Sequence, residues 1–413
     1  MIWYAVIFSL LILGAVNYEI TKKRYGKNIL IFFIVFFLAF SYQMGSDWLN
    51  YQFFYEKVIP NYSLKELLVA KIFKLEDAYI TFEKGYVLLN YLFHKMGFNY
   101  EIFSGITLSV CIYILLDRLY KESINFYLSY LFFLLYFLIS ACIEPVIRQL
   151  IAVTIVVYSF KYLEKKKLLK YCIFILIAAQ FHKSAYIMIV LYFFKNISLN
   201  GKKFLLLIFI LNILLLRVPI LLSYITKVVP QISGYSSYFD SFRYGVHRSR
   251  SFYGTLYHLI IAISYLYVIF FSYRNYKKRK EYIENLGILF ICFKYFQNYL
   301  PIIARFNSYF IFAFSICMSN IGNLKLPNKK ILVFNKHRVK FIYLLLLLSL
   351  LFIRMKDLFF ATKMNTFKYL KYKNYFVKLI KEDLKKNFEE KSNDYKRKIK
   401  NMLIEENNNL KKE

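Results

Sequence analysis

Residues 124–142 read INFYLSYLFFLLYFLISAC, a stretch without one charge. Its length matches the ~20 residues an α-helix needs to cross the hydrocarbon of a bilayer. Working outward, basic residues stand just before it at Arg118 and Lys121, and a polar turn, Glu144-Pro145, closes it. The same alternation of apolar run and short charged gap repeats along the chain. Runs fall at 2–20, 28–44, 99–117, 124–142, 146–163, 169–181, 183–194, 204–222, 254–273, 284–300, 302–322 and 339–353. The fold class is therefore an all-α polytopic membrane protein with about 11–12 transmembrane or half-spanning helices. The first run is long enough to be a retained span, and no small-residue cleavage site follows it. The pair at 169–194 is either two short halves or one long helix; each half alone crosses only with tilt or bilayer thinning.

Hydrophobic residues make up 59% of the 413 and the mean hydropathy is +0.43, which sets the chain apart from soluble domains. The net charge of +33, from 57 Lys and Arg against 24 Asp and Glu, raises nucleic acid as a partner. The positives sit beside spans, as lipid-facing topology requires, so nucleic acid is set aside. The cysteines, Cys111, Cys142, Cys172, Cys292 and Cys317, fall in or at the ends of apolar runs without a C-x-x-C pair, so neither a disulfide framework nor a zinc site is indicated. No metal and no cofactor is expected.

Loops rich in Lys and Arg stay cytoplasmic. Lys22-Lys23-Arg24, Arg118 with Lys121, Lys165-Lys166-Lys167, Lys202-Lys203 and Lys277-Lys278-Arg279-Lys280 all land on one side if 169–194 crosses twice. The two long loops, 45–98 and 223–253, then face outward, as does the tail. The chain divides into a membrane domain, 1–353, and a basic, partly helical or disordered tail, 354–413. It has no room for a cytosolic catalytic domain, so any chemistry belongs to the outward loops and the span ends beside them.

Candidate residues follow from that placement. Asp47, in Gly45-Ser46-Asp47-Trp48, either caps a helix at the aromatic belt or offers a carboxylate to a sugar. The spacing Phe82, Tyr86, Leu89, Phe93, Met96 predicts an amphipathic helix on the membrane surface, with Glu83 near its start where the helix dipole favours a carboxylate. Pro145 suits a first helical position and makes Glu144 the N-cap. Arg148, followed by Gln149, then lies one turn inside an apolar span, where a guanidinium is expensive unless it snorkels or lines a cavity; its fork suits bidentate phosphate. His182-Lys183 breaks the weak pair, a pattern of sites lined by broken helices. Arg243 and Arg248 lie among tyrosines in the second loop, and Arg305 poses the same cost as Arg148. No P-loop, no H-E-x-x-H and no D-x-D pair is present, which argues against nucleotide-dependent cytosolic chemistry.

Taken in order, Gly45-Ser46-Asp47 with Tyr51, Phe82-Glu83-Lys84-Gly85-Tyr86, Arg148-Gln149, His182-Lys183-Ser184 and Ala304-Arg305-Phe306 resemble the EpsG-like branch of Wzy-type polysaccharide polymerases, over about residues 1–350. The resemblance implies a C-type glycosyltransferase architecture in a bacterial cytoplasmic membrane. It implies an enzyme that joins undecaprenyl-diphosphate-linked oligosaccharide repeat units on the outer face, with lipid diphosphate as leaving group. A polysaccharide ligase or a flippase of the same lipid-linked unit is the alternative. The resemblance assigns the base to His182, Asp47, Glu83 or Glu144, and substrate contacts to Arg148, Gln149, Lys183, Arg243, Arg248 and Arg305. The lipid-linked oligosaccharide and membrane lipid would be the partners, with a chain-length regulator and a flippase beside them.

Overall fold

The computed structural model describes residues 2–44, 47–69, 73–75, 78–80, 82–144, 146–194, 252–274, 279–297, 303–320, 336–360 and 373–376. The architecture is all-α. The described residues are helical apart from turns and one small hairpin, β1 (Phe73–Leu75) with β2 (Ala78–Ile80), paired antiparallel with Phe73 opposite Ile80. Three of the described helices are long and apolar enough to cross a membrane: Trp3–Thr21, Tyr100–Glu122 and Phe126–Ile143. The predicted run at 204–222 and the loop 223–251 lie outside the described residues.

The chain forms two compact units. The first comprises Met1–Tyr158, Ile173–Lys183 and Leu345–Glu413. Its middle is the stretch that opens the sequence reading: α7 (Phe126–Phe133), a π-turn (Leu134–Leu138) and α8 (Ile139–Ile143). It is apolar on every side and almost entirely buried, as expected of a helix surrounded by others. α1 (Ile2–Thr21) lies against it, with the Gly14 position filled by the Tyr127 ring. α6 (Tyr100–Glu122) and α2 (Lys27–Ala39) meet where Gly105 admits the Phe40 ring. Small residues at such crossings let backbones approach where lipid supplies no hydrophobic drive. Leu13, Ile29 and Phe32 remain exposed on the outer faces of α1 and α2, where lipid would cover them.

The two ends of this unit differ in chemistry. At one end Lys27 and Lys121 both reach Asp117, the latter at 2.6 Å, and Arg24 donates to the Tyr120 carbonyl while lying over its ring. Here the sequence cut the third run at residue 117; α6 continues to Glu122 because these partners neutralise its last turn. At the other end Ser41 donates to the Cys142 carbonyl (3.1 Å). There residues 373–376 are stitched onto the end of α2. Ser41 and Asn374 form an antiparallel bridge, the Tyr42 amide donates to the Lys373 carbonyl (2.9 Å), the Tyr375 amide donates to the Phe40 carbonyl (2.9 Å), and Asn374 Nδ2 donates to the Phe36 carbonyl (3.1 Å).

The first long loop is folded. α3 (Asp47–Phe53), α4 (Leu64–Val69) and α5 (Lys84–Lys95) enclose a small core of Phe54, Val58, Ile59, Leu67 and Val87. The expected stripe from Phe82 to Met96 is corrected: α5 begins at Lys84, its buried face is Tyr86, Val87 and Asn90, and Met96 is exposed. Packing on the loop core outweighs the apolar periodicity. The expected N-cap is also corrected. Glu144 terminates α8, donating its amide to the Ser140 carbonyl (2.9 Å), and α9 (Ile147–Glu164) starts three residues later.

The second unit comprises Ser159–Cys172 and Ser184–Leu344. Glu281–Phe296 packs on Ile311–Met318, with Phe290 and Phe314 stacked at 4.4 Å. Among its described residues, Arg274 Nε donates to the buried Glu284 at 2.6 Å, and Lys280 to Glu164 at 2.9 Å.

Candidate functional site

The residues with the most chemistry converge in the first unit, at the end where 373–376 meet α2. Arg148 sits in the first turn of α9, four residues after Glu144. Its Nη1 donates to Glu83 Oε2 at 2.6 Å, and its Nε to the Tyr51 hydroxyl at 3.1 Å. Glu83 is 11% exposed and Arg148 23%. A guanidinium at that depth needs a counter-charge, and the loop supplies it.

Local sequence explains how Glu83 arrives there. It stands at the N-cap of α5 in extended conformation, yet its side chain makes no capping hydrogen bond and turns to Arg148 instead. Its other oxygen, Oε1, accepts the main-chain N–H of Lys183 at 3.3 Å. Two residues on, the Gly85 amide donates to the Gln180 carbonyl at 2.9 Å, and a Cβ at Gly85 would lie 2.8 Å from that oxygen. Only glycine permits this approach. The start of α5 is thus docked on the turn that follows α10 (Leu168–Ala179), and the turn contains His182. The chain does break at 180–182, between α10 and the 3₁₀ segment Lys183–Ile189, which excludes a single long helix.

Aromatic rings build the floor. Tyr51, Phe82 and Tyr86 stand mutually 5.5 Å apart, and the Arg148 guanidinium lies 4.9 Å from the Phe82 ring and 5.5 Å from the Tyr51 ring. Burial raises the Tyr51 hydroxyl above its ordinary pKa, an effect that the Arg148 charge opposes. The phenol stays protonated, so it both accepts from Nε and keeps a proton to donate. Asp47 begins α3 one helical turn before Tyr51 and remains partly exposed.

The structure therefore gathers Tyr51, Glu83, Arg148 and the His182-Lys183 turn, with Asp47 four residues before Tyr51 and Glu144 four residues before Arg148 in the chain. Gln149 is buried beside Arg148 in the first turn of α9. Arg305 belongs to the second unit, in the short helix Ile303–Asn307. Arg243 and Arg248 lie outside the described residues. Sequence reasoning assigned no role to the Tyr51 hydroxyl and missed the Gln180 carbonyl. A tyrosine one turn after Asp47 was the available signal for the first; the second, a main-chain contact, left none.

The EpsG family model matches residues 24–374, so it reaches the segment stitched onto α2. No curated protein and no solved structure matches the chain.

Proposed function

The chain belongs to the EpsG family, a family of Wzy-like polysaccharide polymerases, and we propose on that premise that it polymerises undecaprenyl-diphosphate-linked oligosaccharide units. The reaction would run on the outer face of a bacterial cytoplasmic membrane. A hydroxyl of the acceptor unit attacks the anomeric carbon of the growing chain, the bond from that carbon to the diphosphate oxygen breaks, and lipid diphosphate leaves with the electron pair. The acceptor proton passes to a base. No nucleotide takes part.

One observation carries this reading: the Arg148 guanidinium is fixed at the mouth of an apolar helix by two groups from the long loop. Two of its five N–H donors are committed, and the remaining fork suits a phosphate oxygen on which charge develops. Glu83 serves that arginine. Both of its oxygens are engaged, one by the guanidinium and one by a main-chain N–H, so Glu83 positions Arg148 in this scheme. His182, adjacent to the Lys183 amide that holds Glu83, is the base in this scheme, ahead of Asp47 and Glu144. Gln149 and Lys183 are substrate contacts in this scheme; for Arg305, Arg243 and Arg248 the substrate-binding role is the one the family resemblance implies.

The test is reconstitution. Purified protein in vesicles receives the native host's undecaprenyl-diphosphate-linked repeat unit, without nucleotide or divalent metal. A ladder spaced by one repeat unit, absent with Arg148→Ala, is the expected result. Transbilayer movement of the unit without a ladder would overturn the proposal in favour of a flippase.

A further inference from the structure

Three buried tyrosines, Tyr55, Tyr130 and Tyr171, place their hydroxyls on the carbonyls of Phe98 (2.8 Å), Leu116 (2.8 Å) and Met188 (2.6 Å). Tyr86 and Tyr100 do not. Both are fully buried, and among the described residues neither hydroxyl has a hydrogen-bond partner. The same holds one helical turn further along each helix, at Asn90 Oδ1 on α5 and Ser104 Oγ on α6. Ser109 shows the ordinary solution on α6, donating to the Gly105 carbonyl four residues back (2.6 Å), and Ser104 does not adopt it. A stranded buried polar atom is costly, so four of them in one place require a cause.

The four share one neighbourhood within the first unit. α5 and α6 meet on Phe103, whose ring lies 6.3 Å from that of Tyr86 and 6.0 Å from that of Tyr100. Asn90 lies beside the Tyr86 hydroxyl and Ser104 beside that of Tyr100. The Tyr100 hydroxyl interacts electrostatically with those of Tyr86 and Tyr51, and the Tyr86 hydroxyl with Tyr51 and Arg148. The Tyr51 and Tyr86 rings meet edge to face at 5.5 Å. Tyr51 completes the set: its oxygen accepts from Arg148 Nε, and its own proton has no acceptor among the described residues.

The chemistry of the set selects its ligand. Asn90 Oδ1 only accepts, and it disfavours an anion; the nearby Arg148 charge disfavours a cation. The hydroxyls of Tyr51, Tyr86, Tyr100 and Ser104 both donate and accept, and water matches such a mixture.

We propose that Tyr51, Tyr86, Asn90, Tyr100 and Ser104 enclose an internal hydration site, whose ordered water accepts the Tyr51 proton in a hydrogen bond. Buried water of this kind makes about three hydrogen bonds to groups that are otherwise unsatisfied. By accepting from Tyr51 it sets the direction in which the phenol oxygen meets Arg148 Nε. Tyr86 and Tyr100 are thereby positioning residues for the guanidinium. That the oriented guanidinium serves catalysis rests on the polymerase reading; the hydration site does not.

X-ray radiolytic footprinting of the full-length protein in micelles is the direct test, because radicals form from water at the site and oxidise the side chains around it. Tyr86 and Tyr100 should be oxidised several-fold faster than Tyr130, an equally buried tyrosine whose hydroxyl is satisfied by Leu116. Rates no higher than that of Tyr130 overturn the proposal. The second measurement reads a sign. Tyr86→Phe and Tyr100→Phe keep the rings. At a wet site each removes a partner of bound water and should lower the melting temperature by about 2 °C or more. At a dry contact each would delete a stranded hydroxyl and raise it. The double variant should fall by less than the two single drops combined, because both act on the same water. A rise or no change in either single variant overturns the site. Positioning has its own readout: in the ladder assay Tyr86→Phe should lower kcat several-fold with KM unchanged, and a wild-type kcat overturns that role. Oxidised Tyr86 and Tyr100 without a polymer ladder would sink the polymerase reading and leave the hydration site standing; a ladder with both tyrosines unlabelled would do the reverse.

Discussion

Arg148 and Glu83, 65 residues apart in the chain, are joined by a 2.6 Å ion pair between the first turn of α9 and the start of α5. The pair ties the catalytic proposal to measurable consequences.

Arg148→Ala should abolish polymer while the protein still inserts. Arg148→Lys should fare little better, because an ammonium cannot hold Tyr51 and Glu83 as a planar fork does. Glu83→Gln keeps an acceptor and loses the charge, so a fall of about 10- to 100-fold is expected from loss of one charge-assisted bond. Polymer yields from the three strains check this, and full activity of Arg148→Ala would defeat the scheme.

Gly85→Ala places a methyl 2.8 Å from the Gln180 carbonyl, a main-chain atom with little freedom to retreat. The contact between α5 and the 180–183 turn should open, at a cost of about 1–3 kcal/mol. The expected readout is a lower melting temperature together with reduced polymer. An unchanged melting temperature would show that the docking contributes nothing.

Glu56 shares the Gln52 amide with Glu101, at 2.9 Å and 3.3 Å, while Trp48 Nε1 fixes that amide's oxygen. Burial lifts the Glu56 carboxyl above its ordinary range, partly opposed by the Gln52 hydrogen bond and Lys57. A carboxyl with a raised folded-state pKa binds its proton more tightly when folded. Its penalty is therefore absent at low pH, and stability falls as pH climbs from about 4.3 through the folded value. Glu56→Gln should raise the melting temperature at pH 7.5 and leave it nearly unchanged near pH 4. A gain confined to acid would reverse the sign and reject the assignment.

Residues 373–376 should stabilise the fold through their contacts with α2. Truncation after Phe376 keeps the four contacts to α2, whereas truncation after Tyr372 removes them all. The shorter protein is expected to melt several degrees lower. In intact cells, Lys373→Cys, an exposed position, should react with a membrane-impermeant maleimide if this end of the unit faces outward. Labelling only after permeabilisation would invert the topology.

The sequence by itself determined the fold class. The length of an apolar run is set by bilayer thickness, and that is a local property of 124–142 as much as of 2–20. It also singled out Arg148, Glu83 and His182, because a charge beside an apolar run is visible without coordinates. Their pairing was not legible. Glu83 read as a carboxylate suited to a helix start, and Glu144 as an N-cap, since capping preference is local, whereas the competing claim of a guanidinium 65 residues away is not. The return of Lys373 to Phe376 onto α2, the docking of Gly85 on Gln180, and the π-turn at Leu134–Leu138 were likewise decided only in three dimensions. Each rests on a main-chain hydrogen bond or a close packing distance, and neither has a residue-type signature.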